Sequence, residues 1–163
     1  MTIYLVRHAK AGSRSRWDGP DEQRPLSKNG RRQTAAVTDA LVDSGVTRII
    51  TSPFVRCSQT VEPLAERLGI PLEPSDALAE GAGITDALEL VEKYADEHTV
   101  LCSHGDVIGD LLHHYEQLGI PLDGDPLERT KSKPWTWTEK GSTWVLELES
   151  GRIVGTRYVP PPK

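Results

Sequence analysis

The fold of this 163-residue chain is decided by the stretch Thr2-Ile3-Tyr4-Leu5-Val6-Arg7-His8-Ala9-Lys10. Its apolar run contains no Gly or Pro and is typical of a strand that is buried on both faces within a parallel sheet. A cation and an imidazole, Arg7 and His8, follow where the run ends. Because ligands of open α/β sheets bind beyond the carboxyl ends of the strands, this pair marks the expected site.

Length and composition indicate an ordinary globular protein. The chain is long enough for one domain, residues 1–163, with a full core that needs no disulfide or metal. Apolar residues make up 37% and charged residues 26%, and no stretch has the length of a membrane span. No signal segment follows Met1, and Cys57 and Cys102 fall in an expected helix and strand as reduced thiols. We therefore expect a cytoplasmic protein without membrane contact, either a monomer or a weak dimer.

Charge is distributed unevenly along the chain. The formal net charge of −5 argues against a nucleic-acid polymer as a partner. Between residues 7 and 32, however, basic side chains outnumber acidic ones by eight to three. A local positive field on an acidic protein suits a small anionic ligand.

Apolar spacing predicts alternating strands and helices after the first strand. Helices are expected from a cap at Ser27 to about residue 45, from Ser52-Pro53 to 69, over 84–95 and over 107–118. Strands are expected at 46–51, 71–74 and 99–102, with a long loop at 11–26 and an inserted loop at 119–141. Residues 142–149 and 152–159 read as a hairpin. This order predicts an α/β fold, a three-layer α/β/α sandwich with a mostly parallel central sheet and a C-terminal β-hairpin.

Three short motifs follow predicted strands and should meet at one edge of the sheet. Arg7-His8 follows the first strand, Arg56 lies one turn into the helix after the second, and Ser103-His104-Gly105-Asp106 ends the fourth. Arginine forks hold phosphoryl oxygens, and a neutral imidazole can attack phosphorus to form a phosphohistidine. We expect no cofactor and no metal, since the sequence lacks the His and Cys spacing of zinc sites.

These motifs resemble those of the histidine phosphatase superfamily, which includes the cofactor-dependent phosphoglycerate mutases and the SixA-type phosphohistidine phosphatases. The resemblance implies that His8 is the nucleophile, that Arg7, Arg56 and His104 form the phosphate pocket, and that Glu80 is the proton donor. The resemblance rests on residues 5–10, 25–30, 52–60, 78–80 and 103–105.

The chain also departs from the common pattern of the family. Ala9 stands where Gly is common and is similar to the shorter SixA-type members, while Arg14 replaces an Asn of the mutases. The long insertions of the mutases are missing, which argues against mutase activity. Residues 140–146 and 11–13 are similar to the phosphatase-type domain that follows a Nudix domain in some actinobacterial nucleotide hydrolases.

Two assignments stay open at this stage. Asp106 competes with Glu80 as the acid, although a Gly-flanked loop favours Glu80, and a phosphohistidine substrate needs no acid because it has a good leaving group. Lys10, Ser13 and Arg14 are expected to add substrate contacts. A group of aromatic and basic residues has two interpretations. They form a lid that grips the substrate, or they pack under a long loop beside the main core. These residues are Trp17, Trp135, Trp137, Lys131 and Lys133.

The sequence thus predicts a metal-independent phosphatase that hydrolyses a phosphate monoester or a phosphohistidine protein through phospho-His8. The first alternative is a phosphatase of nucleotides or other small molecules. The second, from another class, is a phosphate-binding regulatory module with weak or no catalysis.

Overall fold

A seven-stranded mixed sheet forms the centre of the computed structural model, which describes residues 1–124 and 133–161. The strands are β1 Thr2–Arg7, β2 Arg48–Thr51, β3 Leu72–Pro74, β4 Thr99–Ser103, β5 Leu122–Asp123, β6 Thr143–Glu149 and β7 Arg152–Val159. The α-helices are α1 Lys28–Leu41, α2 Val55–Leu68, α3 Thr85–Lys93 and α4 Gly105–Gln117. Short 3-10 helices occupy Asp21–Gln23, Asp76–Leu78 and Pro134–Trp137.

The strand order is β3-β2-β4-β1-β6-β7-β5. The pairs β1·β4, β2·β4, β2·β3 and β5·β7 are parallel, whereas β6 is antiparallel to both β1 and β7. The expected mostly parallel sheet with a C-terminal hairpin is therefore confirmed. Arg7 pairs with Ser103 and Thr51 with Cys102, so the carboxyl ends of β1, β2 and β4 share one edge.

Two apolar layers cover the sheet. Val6, Ile49 and Val100 belong to a buried cluster with side chains of α1 and α2. Alternate strand positions, among them Leu5 and Leu101, join the cluster that contains α3, α4 and Trp144 of β6. The two-residue repeat of the strands thus divides their side chains between the two helical layers.

The second helix starts later than the sequence predicts. Ser52 was expected to cap it, but α2 begins at Val55 after Phe54. The Ser52 hydroxyl accepts a hydrogen bond from the Phe54 N–H at 3.2 Å and lies 2.8 Å from Nε2 of His104. Ser52 therefore contacts His104 at the edge of the sheet and does not cap α2, so the predicted cap is wrong. In α1 the expected cap is confirmed, since Ser27 Oγ accepts from the Gly30 N–H at 3.1 Å.

The region expected as an inserted loop, 119–141, holds more structure than predicted. It contains the edge strand β5 and the 3-10 helix Pro134–Trp137. An ideal Cβ on Gly109 would overlap the Pro134 carbonyl oxygen, so a glycine in α4 is what allows the 3-10 helix to pack there. Lys131 lies outside the described residues.

The tryptophans of the expected lid divide between two environments. Trp137 is fully buried, and its carbonyl accepts a hydrogen bond from Trp144 Nε1 at 2.9 Å. This residue therefore belongs to the core, as the packing interpretation held. Trp17 and Trp135 are exposed.

Two further expectations concern the thiols and the helices. Cys57 and Cys102 are free and buried, which confirms reduced core thiols. Within 1–124 and 133–161, no helix is long and apolar enough to cross a membrane.

Candidate active site

His8 lies directly beyond the end of β1, and its backbone N–H donates to the Ser103 carbonyl at 3.1 Å. The side chain is 5% exposed. Nδ1 lies 2.7 Å from the Ala9 carbonyl oxygen, which can only accept, so Nδ1 carries the ring proton of the neutral imidazole. The lone pair of that imidazole is therefore on Nε2, which has no hydrogen-bond partner among the described residues.

Burial lowers the pKa of His8 to about 3, and the positive charges of Arg7, Arg56 and Lys140 act in the same direction. The hydrogen bond to Ala9 opposes this shift without reversing it. His8 is thus a neutral imidazole at physiological pH, the form in which a ring nitrogen is a nucleophile.

Arg7, the last residue of β1, places its guanidinium against the start of α4. An ideal Cβ on Gly105 would lie 2.8 Å from Arg7 Cζ, so the glycine leaves room for the guanidinium in this position. Nη1 donates to the Thr138 carbonyl at 2.5 Å, while Nε is buried without a partner in the described part of the chain. Burial lowers the pKa of Arg7, with Asp106 and Glu80 opposing the shift.

His104 precedes the first turn of α4, and its ring lies 5.4 Å from that of His8 between centroids. Its Nε2 is 2.8 Å from Ser52 Oγ and 3.5 Å from Cys57 Sγ. Burial lowers the pKa of His104 to about 2, assisted by His8 and the nearby arginines. Nδ1 is buried and has no partner in 1–124 or 133–161. If Nε2 accepts from Ser52, the proton sits on Nδ1 as a buried donor.

Arg56 lies in the first turn of α2 and is 1% exposed. Its Nη1 donates to the Asp21 carbonyl at 2.9 Å and its Nη2 to the Asp21 carboxylate at 3.0 Å. Nη2 also reaches Glu80 Oε2 at 3.4 Å. Nε is buried and unpaired within the described residues. Arg7, His104 and Arg56 therefore each keep one buried nitrogen that no other described residue pairs with.

Asp21 ties the loop 11–26 to this site, and sequence reasoning missed it. Besides Arg56, its carboxylate accepts from Arg24 Nε at 2.9 Å and pairs with Arg14 Nε at 3.7 Å. Partial burial would raise the pKa of Asp21, but Arg24 and Arg56 outweigh it and hold the pKa below its usual value. The sequence carries only an indirect indication of this role. A buried arginine such as Arg56 needs a carboxylate partner, and the basic loop contains few carboxylates.

The two candidate acids have different places in the structure. Glu80 reaches the pocket, with its carboxylate 3.4 Å from Arg56 and 3.8 Å from Arg14. Asp106 lies at the start of α4, and its Oδ2 accepts from the Gly81 N–H at 2.8 Å. Asp106 thus holds the backbone directly after Glu80.

The other predicted substrate contacts are only partly brought together. Arg14 lies at the pocket through Asp21 and Glu80. The Ser13 hydroxyl pairs with Ser15 at 2.9 Å. Among the described residues, neither the Ser13 nor the exposed Lys10 side chain forms a hydrogen bond or ion pair with a pocket residue. Lys140, which sequence reasoning did not select, lies close enough to lower the pKa of His8.

In 1–124 and 133–161, no group of three or more His, Cys, Asp or Glu side chains is arranged to hold a metal ion.

Comparisons with known proteins identify the family of this chain. The family model "Histidine phosphatase superfamily (branch 1)" matches residues 3–86. The chain is 37% identical, over 99% of its length, to an 8-oxo-(d)GTP phosphatase of Mycolicibacterium smegmatis, and it spans about half (48%) of that relative. Its fold is similar to that of the protein histidine phosphatase SixA complexed with tungstate, with a TM-score of 0.68, 18% identity and coverage of 98% and 94% of the two chains.

A protein of Nakamurella multipartitia, provisionally named phosphohistidine phosphatase SixA, is 26% identical with a TM-score of 0.60, over 89% of this chain and 83% of its own. The fold, the order of the motifs and the match to the family model agree. The chain therefore belongs to the histidine phosphatase superfamily, branch 1.

Proposed function

We propose that the chain hydrolyses a phosphate monoester or a phosphohistidine through a covalent intermediate on Nε2 of His8. The observation that carries this proposal is the hydrogen bond from Nδ1 to the Ala9 carbonyl, 2.7 Å long. It fixes the tautomer that leaves Nε2 unprotonated, beside two arginines and a second histidine. A nucleophile and an anion pocket are thus supported at one point.

In the first step, Nε2 of His8 attacks phosphorus as the bond to the leaving group breaks. The unpaired nitrogens of Arg7, Arg56 and His104 are suited to hold the phosphoryl oxygens, where charge builds in the transition state. We assign the proton donor to Glu80, which lies at Arg56, and a positioning role to Asp106. Water then attacks phosphorus, Glu80 takes up its proton, the P–N bond breaks, and phosphate leaves with His8 restored.

We infer that the reaction needs no metal. Arg7 and Arg56 supply the positive charge that a metal ion otherwise supplies to a phosphoryl group.

A nucleotide is the second candidate substrate class. The observation in its favour is the relative from Mycolicibacterium smegmatis, whose name states an 8-oxo-(d)GTP phosphatase activity and which matches 99% of this chain. The match covers 48% of that relative, so the nucleotide is proposed here as a class to be assayed beside phosphate esters and phosphohistidine.

The test is turnover in EDTA of p-nitrophenyl phosphate, nucleotides and a phosphohistidine protein. His8→Ala should lower kcat by about a thousandfold or more, because the nucleophile is lost. His114→Ala on α4 is the matched control and should keep wild-type rates. Rapid alkaline quenching with labelled substrate should trap an acid-labile phosphoprotein only in the wild type.

Equal rates for the wild type and His8→Ala would refute the covalent mechanism. A wild type that binds phosphate but turns over nothing would favour the regulatory module. Loss of activity in EDTA that added metal restores would refute metal independence.

A further inference from the structure

We propose that Lys140 and Arg14 form a second anion subsite beside His8, which takes a second phosphate group adjoining the one that is transferred. The substrate class is then an organic diphosphate, or a longer phosphate chain, cleaved at its terminal phosphoryl group. This inference rests on the proposed function and deepens it.

The backbone around Lys140 is fixed beside the nucleophile. The Gly141 N–H lies 3.0 Å from the His8 carbonyl and 3.2 Å from the Arg7 carbonyl and donates to both. The Gln33 amide accepts from the Lys10 N–H at 2.9 Å and donates to the Lys140 carbonyl at 3.5 Å. These contacts join α1, the end of β1 and the segment before β6, so Lys140 starts from a defined position.

A glycine is required next to Lys140 for this arrangement. Gly141 has a φ of +83°, and an ideal Cβ there would lie 3.1 Å from the Gln33 amide. Both the left-handed backbone and the close approach favour the absence of a side chain.

The Lys140 ammonium lies in a positive environment. Partial burial lowers its pKa, and the charges of Arg7, Arg24, Arg14 and Arg56 lower it further. The described residues provide it with no hydrogen bond and no ion pair. An anion bound at this position would therefore stabilise the positively charged Lys140 side chain.

Arg14 is the second member of the subsite. Its side chain is 69% exposed and its two ion pairs, to Asp21 and Glu80, are 3.7 and 3.8 Å long. The Arg24–Asp21 pair in the same loop is 2.9 Å long. Arg14 is therefore loosely held, and a ligand can engage it without breaking a short hydrogen bond.

The chemistry of the leaving group decides the substrate class. When Nε2 of His8 bonds to the terminal phosphorus, the bond from that phosphorus to the bridging oxygen breaks and an organic monophosphate leaves. Its negative charge grows on the bridging oxygen and the adjoining phosphate, where Lys140 and Arg14 would stabilise it. Water then cleaves the P–N bond and releases phosphate. A neutral alcohol as leaving group would make no use of two further cations.

The first experiment compares ADP with AMP, which differ by one phosphate group, in EDTA. Lys140→Ala should lower kcat/KM for ADP about tenfold, the effect of one charge-assisted hydrogen bond, and for AMP no more than about threefold. Arg14→Ala should act in the same direction, and Lys140→Arg should restore most of the activity on ADP. Lys93→Ala, at the far end of α3, is the control and should change neither value. Equal losses on ADP and AMP, or no loss on ADP, would overturn the proposal.

The second experiment needs no turnover. Calorimetry in the His8→Ala background measures the binding of inorganic phosphate and of pyrophosphate. Pyrophosphate should bind more tightly, and adding Lys140→Ala should weaken it about tenfold relative to phosphate. If pyrophosphate shows this loss while the wild type hydrolyses nothing, the subsite stands and the proposed function fails. If both anions bind alike with and without Lys140, the subsite is refuted even where phosphatase activity is found.

Discussion

Arg48 lies at the start of β2 and Arg56 just beyond its other end, in the first turn of α2, and each arginine pairs with two carboxylates. Arg48 opens β2 and donates to Glu73 and Glu97, with the shortest N–O distance 2.8 Å in each pair. Arg56 follows β2 in α2 and pairs with Asp21 and Glu80 at 3.0 and 3.4 Å.

The two arginines differ in what they leave unpaired. All three guanidinium nitrogens of Arg48 donate to carboxylates, and its side chain is 30% exposed. The hydrogen bonds that it donates to Glu97 and Glu73 raise its pKa. Arg56 is 1% exposed and keeps a buried Nε without a partner among the described residues. An unsatisfied buried donor is costly, so its presence indicates a ligand, whereas the saturated Arg48 serves the fold.

The largest expected effect separates the two arginines by activity. Arg56→Ala should lower kcat about 100- to 1000-fold, the usual loss when one transition-state donor is removed. Arg48→Ala should stay within about twofold, because its charge is already neutralised far from His8. Turnover of p-nitrophenyl phosphate measures both, with circular dichroism to confirm folding. Comparable losses in the two variants would break the distinction.

The next effect tests the carboxylates that hold the arginines. Asp21→Asn keeps the backbone carbonyl that accepts from Arg56 Nη1 but removes the negative charge of the side chain. Because the Arg56 guanidinium then loses its orientation, kcat/KM should fall about tenfold. Its counterpart, Glu73→Gln at Arg48, should leave kcat/KM unchanged. Inhibition by vanadate provides a second readout, since a misplaced Arg56 should bind the oxyanion more weakly. Vanadate inhibition that is unchanged in Asp21→Asn would contradict a positioning role.

A smaller effect is the decrease in the free energy of unfolding at acid pH that the two active-site histidines cause. The pKa of His8 is about 3 and that of His104 about 2 when folded, against 6.5 in the unfolded chain. Below pH 6.5 the unfolded state takes up protons that the folded state does not, so stability decreases as pH falls. Each histidine contributes at most about 1.4 kcal/mol per pH unit.

This slope can be assigned to its residue by denaturant unfolding between pH 6.5 and 4.5. His8→Ala should show a shallower loss of unfolding free energy than the wild type, whereas Arg48→Ala should retain the wild-type slope. Parallel curves for the wild type and His8→Ala would show that His8 is not held neutral by the fold.

The smallest effect is on the Arg48 side. Arg48→Ala should lower the Tm by no more than a few degrees, because exposed ion pairs add little to stability. High salt should narrow the difference from the wild type, since screening weakens the pair in both. A large, salt-independent decrease would mean that Arg48 stabilises the fold through packing, for example against the Tyr94 ring 4.6 Å away.

The convergence of Arg7, His8, Arg56 and His104 could be predicted because topology determines it. Apolar runs identify the strands, alternation with helices makes them parallel, and parallel strands end at one edge. No side-chain detail is needed for that argument.

The remaining parts of the site depend on tertiary contacts that no local pattern encodes. Asp21 pairs with Arg56, 35 positions away, only after the loop folds back. Lys140 comes close to His8 only because the backbone of Gly141 pairs with the end of β1. Ser52 has the residue type and position of a helix cap, but His104 competes for its hydroxyl. The edge strand β5 has only two residues, too few for periodicity to register.

The carboxylate that Arg14, Arg24 and Arg56 share has a consequence for how this sequence can change. Loss of Asp21 would leave buried Arg24 and Arg56 without their common counter-charge, so substitutions at these positions will be epistatic, their effects differing from the sum of single changes. If a neutral residue replaced Arg24, the Asp21 carboxylate would no longer be shared with it, and the ion pair between Asp21 and Arg56 would become stronger. The tolerated evolutionary paths through this loop are therefore those in which Asp21 and Arg24 are replaced together while Arg56 is kept.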